Sequence, residues 1–198
     1  MQLNNFTYFY PEKPFLMSIE QDLFNEINNN KNWIAEKKYN GIRLQLHYIN
    51  GQFMFWNRHG AKIKYNPDSN LLKELNKIEL SGYWLFDGEL RNNKIKGINN
   101  KIMIYDVFIA NNDLLINKPF IERRQILESI FKVDAEPLGL TRQYNGDFKD
   151  LFNKVIVEEE IEGLVFKKLT GLLKLSRRIG NKSSWMYKVR KPTKNYRF

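Results

Sequence analysis

The chain has 198 residues, enough for one domain with a substantial core, since a domain near this size buries roughly 70% of the surface its unfolded chain exposes. It carries no cysteine and two histidines, which excludes disulfides, thiolate zinc and iron–sulfur sites, a cysteine nucleophile and a His-rich metal cage. With 32 Lys+Arg against 22 Asp+Glu the net charge is +10. That excess points to a polyanionic partner, and the lack of any apolar run long enough to span a bilayer favours nucleic acid over membrane.

The first residues carry neither a basic, apolar leader nor an Arg-rich amphipathic pattern, so no targeting segment is read and an intracellular protein is expected. Residues 18–27 place Ile19, Leu23, Phe24 and Ile27 at helical spacing behind Ser18 as N-cap. Residues 33–48, 52–57, 82–91, 101–108 and 163–169 are rich in β-branched and aromatic side chains and predict strands. Asn50-Gly51 between the first two signals a hairpin. Residues 70–78, 118–131 and 147–157 predict helices. In the second of these, Ile121, Ile126, Leu127 and Ile130 form the expected apolar stripe, with Arg123 and Arg124 facing outward. The expected class is α+β, with mainly antiparallel sheets flanked by helices. No stretch has linker composition, so residues 1–198 are expected to form a single domain.

Five segments put charge into otherwise strand-like runs. They are Glu36-Lys37-Lys38-Tyr39-Asn40-Gly41-Ile42-Arg43, Phe86-Asp87-Gly88-Glu89-Leu90, Ile104-Tyr105-Asp106-Val107-Phe108, Glu162-Gly163-Leu164-Val165-Phe166-Lys167 and Lys188-Val189-Arg190. Burying such groups is expensive unless a ligand or metal is the partner. A single Lys-x-Asn-Gly reads better as a hairpin turn with solvated basic residues; it is the ordered set of five that points to a site.

That set resembles the nucleotidyltransferase motifs of ATP-dependent DNA ligases, a superfamily shared with RNA ligases and mRNA capping enzymes. Further segments extend the likeness: Pro14-Phe15-Leu16-Met17 before the lysine motif, Asn57-Arg58-His59-Gly60 at the Ser-Arg-x-Gly turn, Glu122-Arg123-Arg124-Gln125-Ile126-Leu127 at the Arg-Arg helix, and SRRIGNKSSWMYKVR at 176–190. It covers nearly the whole chain from about Pro11, and implies an ATP-grasp-like nucleotidyltransferase domain.

The resemblance makes Lys38 the nucleophile that forms a lysine–AMP phosphoramidate. A lysine suits that position because its ammonium can lose a proton and an arginine's guanidinium cannot. Lys188 and Arg190, two apart on one strand face, are the implied cations that neutralise phosphate; Arg43 and Arg58 are implied in the same cradle. Glu89 and Glu162 are implied to bind the ribose hydroxyl and Mg²⁺, for which hard carboxylate oxygens are apt. Asp87 shares Glu89's strand face and either belongs to the site or supports it. Tyr105 is implied to stack on the purine, Lys167 to point at phosphate, and Glu36 and Lys37 to meet the adenine edge through backbone groups. Phe108 and Trp185 read as packing. Arg177, Arg178 and Lys182 are candidates for nucleic-acid phosphate contacts. His47 and His59 lack metal-ligand company, which leaves contact with nucleic acid as the role open to either.

Three departures from the family pattern stand out. Asn40 replaces the aspartate of Lys-x-Asp-Gly, Arg190 replaces the second lysine of Lys-x-Lys, and nothing in the sequence reads as an OB-fold domain. The expected function is an ATP-dependent polynucleotide ligase sealing 5′-phosphate/3′-hydroxyl nicks, with DNA favoured as substrate and an RNA ligase as the alternative. A capping guanylyltransferase and a non-catalytic nick- or end-binding module are more distant alternatives. ATP and Mg²⁺ are the expected cofactors. The expected state is a monomer on nicked duplex, with a partner protein as one source of the missing OB-domain function.

Overall fold

The computed structural model describes residues 8–92, 94–174 and 182–192. Alternation along the strands decides the architecture, because period-two burial obliges each sheet to cover one face or both. Here both faces of both sheets carry apolar side chains, and a layered α+β fold follows.

In chain order the elements are β1 (Lys13–Leu16), α1 (Asp22–Asn28), β2 (Trp33–Tyr39), β3 (Ile42–Ile49), β4 (Gln52–Asn57), α2 (Ser69–Leu75), β5 (Tyr83–Arg91) and β6 (Lys101–Ala110). They continue with β7 (Asp113–Leu114), α3 (Phe120–Glu128), β8 (Leu138–Leu140), β9 (Gln143–Tyr144), α4 (Phe148–Val155), β10 (Ile161–Lys168) and β11 (Lys182–Arg190). The first sheet has the order β1-β11-β10-β2-β9. The second has the order β4-β3-β5-β6-β7, with β8 added to β6. Pairing is antiparallel except for β1 with β11 and β8 with β6.

Three apolar layers hold this together. Trp33, Ala35, Ile161, Leu164, Phe166 and Val189 of the first sheet pack under Phe24 and Ile27 of α1 and Phe148, Phe152 and Val155 of α4. Leu44, Leu46, Phe86, Leu90, Ile102 and Ile104 of the second sheet pack against Leu71 and Leu75 of α2 and Leu127 of α3. Between the sheets, Ile34, Tyr83, Leu85, Phe108, Trp185 and Met186 form a smaller core that fills only part of the gap.

Four sequence expectations change. The run 33–48 is two strands, one in each sheet, broken at Asn40-Gly41. Gly41 allows the crossing because a Cβ there would lie 2.6 Å from the Leu90 carbonyl oxygen and 2.7 Å from Glu89 Cγ. Ser18 does not cap α1, which begins after Gln21; its hydroxyl instead donates to Glu20 and accepts from the Glu20 N–H, a local turn that competes with helix. His47 lies inside β3, 1% exposed, with Nδ1 2.8 Å from the Tyr83 hydroxyl, so it is shut away from nucleic acid.

The fourth change concerns α3. Its buried residues are Phe120, Arg123, Arg124 and Leu127, an i, i+3, i+4, i+7 stripe in which the two arginines face inward while Ile121 is exposed. Arg123 forks onto Asp106 at 2.8 and 2.9 Å and also donates to the Lys118 and Gly171 carbonyls. Arg124 donates to Glu128 and to the Thr141 carbonyl. Satisfied guanidinium groups can occupy a core face that periodicity would reserve for apolar side chains.

Candidate active site

Several strands that enter the gap change character along their inward face. On β2 the order is Ile34, Glu36, Lys38; on β5 it is Tyr83, Leu85, Asp87, Glu89; on β11 it is Met186, Lys188, Arg190. β3 runs the opposite way, from Arg43 to Ile49. The apolar ends close the inter-sheet core, and the charged ends open a cleft of about 440 Å³.

Register sets the geometry there. Across the first sheet Lys38 lies opposite Gly163, which lies opposite Arg190; Glu36, Val165 and Lys188 form the next such rung. Gly163 is obligatory: its φ is +148° and a Cβ would sit 2.0 Å from the Val189 carbonyl oxygen. A register shift between Ile161 and Gly163 accompanies Glu162 as it faces the cleft, the usual service of an irregular strand beside a site. Glu162 Oε2 then accepts from Lys38 Nζ at 2.5 Å and lies 3.3 Å from Arg190 Nη2. One carboxylate therefore bridges two strands' cations.

In the second sheet Arg43 stands opposite Glu89. Its guanidinium binds both oxygens of buried Asp87, at 3.0 and 2.6 Å, and sits 6.0 Å from the Tyr105 ring centroid. Burial works against the charge on Arg43, but Asp87 beside it prevails and keeps the guanidinium charged. Asp87 thus holds Arg43 in place. Burial pushes the Glu89 carboxyl up to about 7, with Lys38 and Arg43 pulling it back. Burial, helped by Arg190 and Lys38, pushes the Lys188 ammonium down to about 8. Two groups of the cleft therefore titrate near neutrality.

The other sequence candidates divide. Tyr105 lines the cleft with its hydroxyl 3.5 Å from Asp87. Arg58 lies on the exposed rim, where Nε donates to Nε2 of the neighbouring His59. Glu36 and Lys167, although they line the cleft floor, are buried and paired to each other at 2.7 Å, and Lys167 also donates to the Tyr105 carbonyl. Lys167 thus braces Tyr105 from the cleft floor, with its ammonium engaged by Glu36 and the Tyr105 carbonyl. Lys37 is bound to Glu158. Lys182 is exposed at the far end of β11 from Arg190, its ammonium 5.1 Å from the Phe15 ring centroid. Arg177 and Arg178 lie outside the described residues.

Sequence reasoning missed part of one wall. Glu12 and Lys13 line the cleft, and the Glu12 carboxylate accepts from Trp185 Nε1 at 3.0 Å while its backbone carbonyl accepts from Arg43. The available signal was a charged pair enclosed by Pro11 and Pro14 in an aromatic segment. Lys94 and Lys174 add further cations to the lining.

Among the described residues no group of three or more His, Asp or Glu side chains could hold a metal alone. Glu89 and Glu162 both face the cleft and feel each other's charge. Two carboxylates and open space suit Mg²⁺, which is normally held by one or two carboxylates with waters and substrate phosphates. Among the described residues no helix is long and apolar enough to cross a membrane.

Comparison with known proteins agrees with this arrangement. Residues 86–190, just over half of the chain, match the family model described as ATP dependent DNA ligase domain. A DNA ligase of Methanococcus vannielii is 28% identical over 166 residues, covering 71% of this chain and 28% of the relative. The SPbeta prophage-derived DNA ligase-like protein LigB of Bacillus subtilis is 24% identical over 170 residues, covering 77% of this chain and 60% of that protein. The chain thus spans less than two thirds of either relative's length. Among solved structures, mycobacterial DNA ligase D complexed with ATP and MES superposes with a TM-score of 0.62 at 16% identity, covering 89% of this chain and 60% of that one. Two packed sheets with a charged cleft between them, and a family match that runs from β5 to the end of β11, place this chain in the ATP-dependent DNA ligase domain family.

Proposed function

We propose that this chain is the adenylation unit of an ATP-dependent polynucleotide ligase that seals DNA nicks through a Lys38–AMP intermediate. The observation that carries the reading is Lys38 held by Glu162 at 2.5 Å in a cleft that Lys188 and Arg190 also line. Such a group is a nucleophile kept in place among cations that suit a phosphate.

The residues divide the work. Tyr105 offers its face to the adenine, propped from below by Lys167 and flanked by the Arg43–Asp87 pair. Once the Lys38 ammonium has passed a proton to water at the open cleft, its nitrogen forms an N–P bond to the α-phosphorus as the bond to the pyrophosphate oxygen breaks. The second N–H proton is released to water as the phosphoramidate forms. Lys188 and Arg190 offset the charge that gathers on the phosphate and the leaving pyrophosphate. Glu89 takes the ribose hydroxyl. Mg²⁺, when bound, would be held by Glu89 and Glu162 and supplies charge neutralisation on the phosphates. AMP then passes to a 5′-phosphate, and a 3′-hydroxyl displaces it to seal the strand. Arg58, on the rim of the same cleft, is the proposed further cation for the ATP phosphates, and Arg177, Arg178 and Lys182 in the sequence are the proposed contacts to the nucleic-acid backbone.

Covalent label from α-labelled ATP, followed by sealing of a nicked DNA duplex, is the expected result. Label from GTP alone would make the protein a capping-type transferase, and sealing restricted to RNA-containing nicks would make it an RNA ligase.

The titrations give a second expectation. Glu89 is ionised above about 7 and Lys188 is charged below about 8. The kcat/KM of adenylylation should therefore rise through the first value and fall through the second, because that parameter reports groups of the free enzyme. Lys188→Arg should carry the alkaline decline to higher pH. A pH series of label transfer at low ATP checks it, and an unmoved alkaline limb would remove Lys188 from this role.

A further inference from the structure

The two ends of the inter-sheet gap are held differently. At one end, Ile34, Leu85, Phe108 and Met186 fix the spacing by packing. At the other, the cleft is open and lined with charge, so side-chain packing cannot set how far β5 stands from β2 and β10. Glu89 rides on one sheet and Lys38 and Glu162 on the other.

We infer that Arg91 is the positioning residue that sets this spacing, holding Glu89, Glu162 and Lys38 in register for the attack on ATP; the inference rests on the adenylylation reading above. Arg91 is the last residue of β5, is 3% exposed and is not part of the cleft lining. Its guanidinium lies 4.8 Å from the Tyr39 ring centroid, donates to Glu136 at 3.1 Å and pairs with Glu160. The neighbours matter more than the contacts themselves. Arg91 is two residues beyond Glu89, Glu160 is two residues before Glu162, and Tyr39 directly follows Lys38. The Glu160 carbonyl also accepts from the Asn40 N–H at 2.9 Å, which ties the start of β10 to the end of β2. A single buried cation thus bears on the segments that carry all three groups. It adds to the Asn40-Gly41 crossing and the Lys167–Tyr105 carbonyl bond a side-chain link that runs from β5 to the start of β10 beside Glu89 and Glu162.

The contacts of Arg91 are not equivalent. Glu136 also pairs with Lys101, so that arm is duplicated. Among the described residues Arg91 is the one cation paired with Glu160. The link to Glu160 and the cation over the Tyr39 ring are therefore what Arg91 supplies, and a permanently charged, forked group is suited to doing both while it also reaches Glu136.

The test compares Arg91→Gln, Arg91→Lys, Glu160→Gln and Glu136→Gln with the unaltered chain. Three quantities are read: the single-turnover rate of lysine adenylylation at saturating ATP, ATP affinity by equilibrium dialysis in a Lys38→Ala background, and the thermal midpoint. Arg91→Gln and Glu160→Gln should each slow adenylylation about 10- to 100-fold, the usual range for residues that orient a site from behind, with ATP affinity unchanged. The double variant should be no slower than the slower single, because both remove one link. Arg91→Lys should recover part of the rate, keeping a charge for Glu160 but not the fork that reaches Glu136 and Glu160 together. Glu136→Gln should lower the thermal midpoint and leave the rate near that of the unaltered chain. Rates that track the thermal midpoint across all four variants, or ATP affinity that falls as far as the rate, would reduce Arg91 to a structural cross-link and overturn the inference. If Arg91→Gln does not fold, Arg91→Lys and Glu160→Gln decide on the same criteria. An unaltered chain that takes no label defeats the adenylylation reading and this inference with it; a labelled chain with an undiminished Arg91→Gln rate defeats this inference alone.

Discussion

Replacing Lys38 by arginine should reduce covalent labelling from α-labelled ATP to background while the protein stays folded and still binds nucleotide. Arginine preserves a cation beside Glu162, which in the native chain sits 2.5 Å from the lysine ammonium and 3.3 Å from Arg190. It therefore leaves no unpaired carboxylate in the cleft, and the loss cannot be attributed to a collapsed site. What it removes is the one property the reaction needs, a nitrogen that can give up its proton and form a bond to phosphorus. Gel analysis of labelled protein, with a thermal melt alongside, reads both halves of the expectation. Persistent label in Lys38→Arg would place the nucleophile elsewhere in the cleft, with Lys188 next in line because its ammonium is already pushed down to about 8.

The largest stability effect should come from a residue that touches no substrate. Asp106→Asn should lower unfolding free energy by about 3–5 kcal/mol, the usual cost of breaking a buried ion pair from one side. Asp106 and Arg123 are both fully buried and meet through two hydrogen bonds at 2.8 and 2.9 Å. The same carboxylate accepts from the Val107 N–H. Arg123 further lies 5.6 Å from the Phe120 ring centroid and 5.3 Å from that of Trp185, and its remaining donors serve the Lys118 and Gly171 carbonyls. An asparagine leaves that guanidinium charged, out of water and without its counter-ion. The exposed pair Lys118–Glu122, four residues apart on the surface, is the contrast, and Glu122→Gln should cost no more than about 0.5 kcal/mol. Urea denaturation at neutral pH separates the two, and similar costs would contradict the burial argument.

This pair also shows where the sequence stopped being legible. The charged strands could be read in order, and the structure brings Lys38, Arg43, Glu89, Tyr105, Glu162, Lys188 and Arg190 to one cleft. That worked because period-two alternation names a face locally: Lys188 and Arg190 share a side whatever β11 packs against. The α3 stripe could not be assigned the same way. Periodicity there is satisfied equally by Ile121, Ile126, Leu127 and Ile130 or by Phe120, Arg123, Arg124 and Leu127, and the choice depends on Asp106, 17 residues away in another element. Lys167 and Glu36 raised the same difficulty. Lys167 reads from its type as a phosphate contact and Glu36 as a backbone contact, and nothing local in the sequence shows that their side chains pair with each other. The parallel addition of β1 to β11, and the Arg91 link between sheets, join residues more than 65 positions apart in sequence and leave no local pattern. Long-range pairing of buried charge, more than secondary structure, is what the chain kept hidden.

In the proposed reaction a single lysine on β2, Lys38, becomes bonded to AMP. Mass spectrometry of peptides from the ATP- and Mg²⁺-treated protein reads that bond. A mass increment of one AMP, lost on mild acid treatment, is expected on the peptide that carries Lys38 and on no other. An increment assigned to another residue, or none on a folded protein that nevertheless seals nicks, would contradict it.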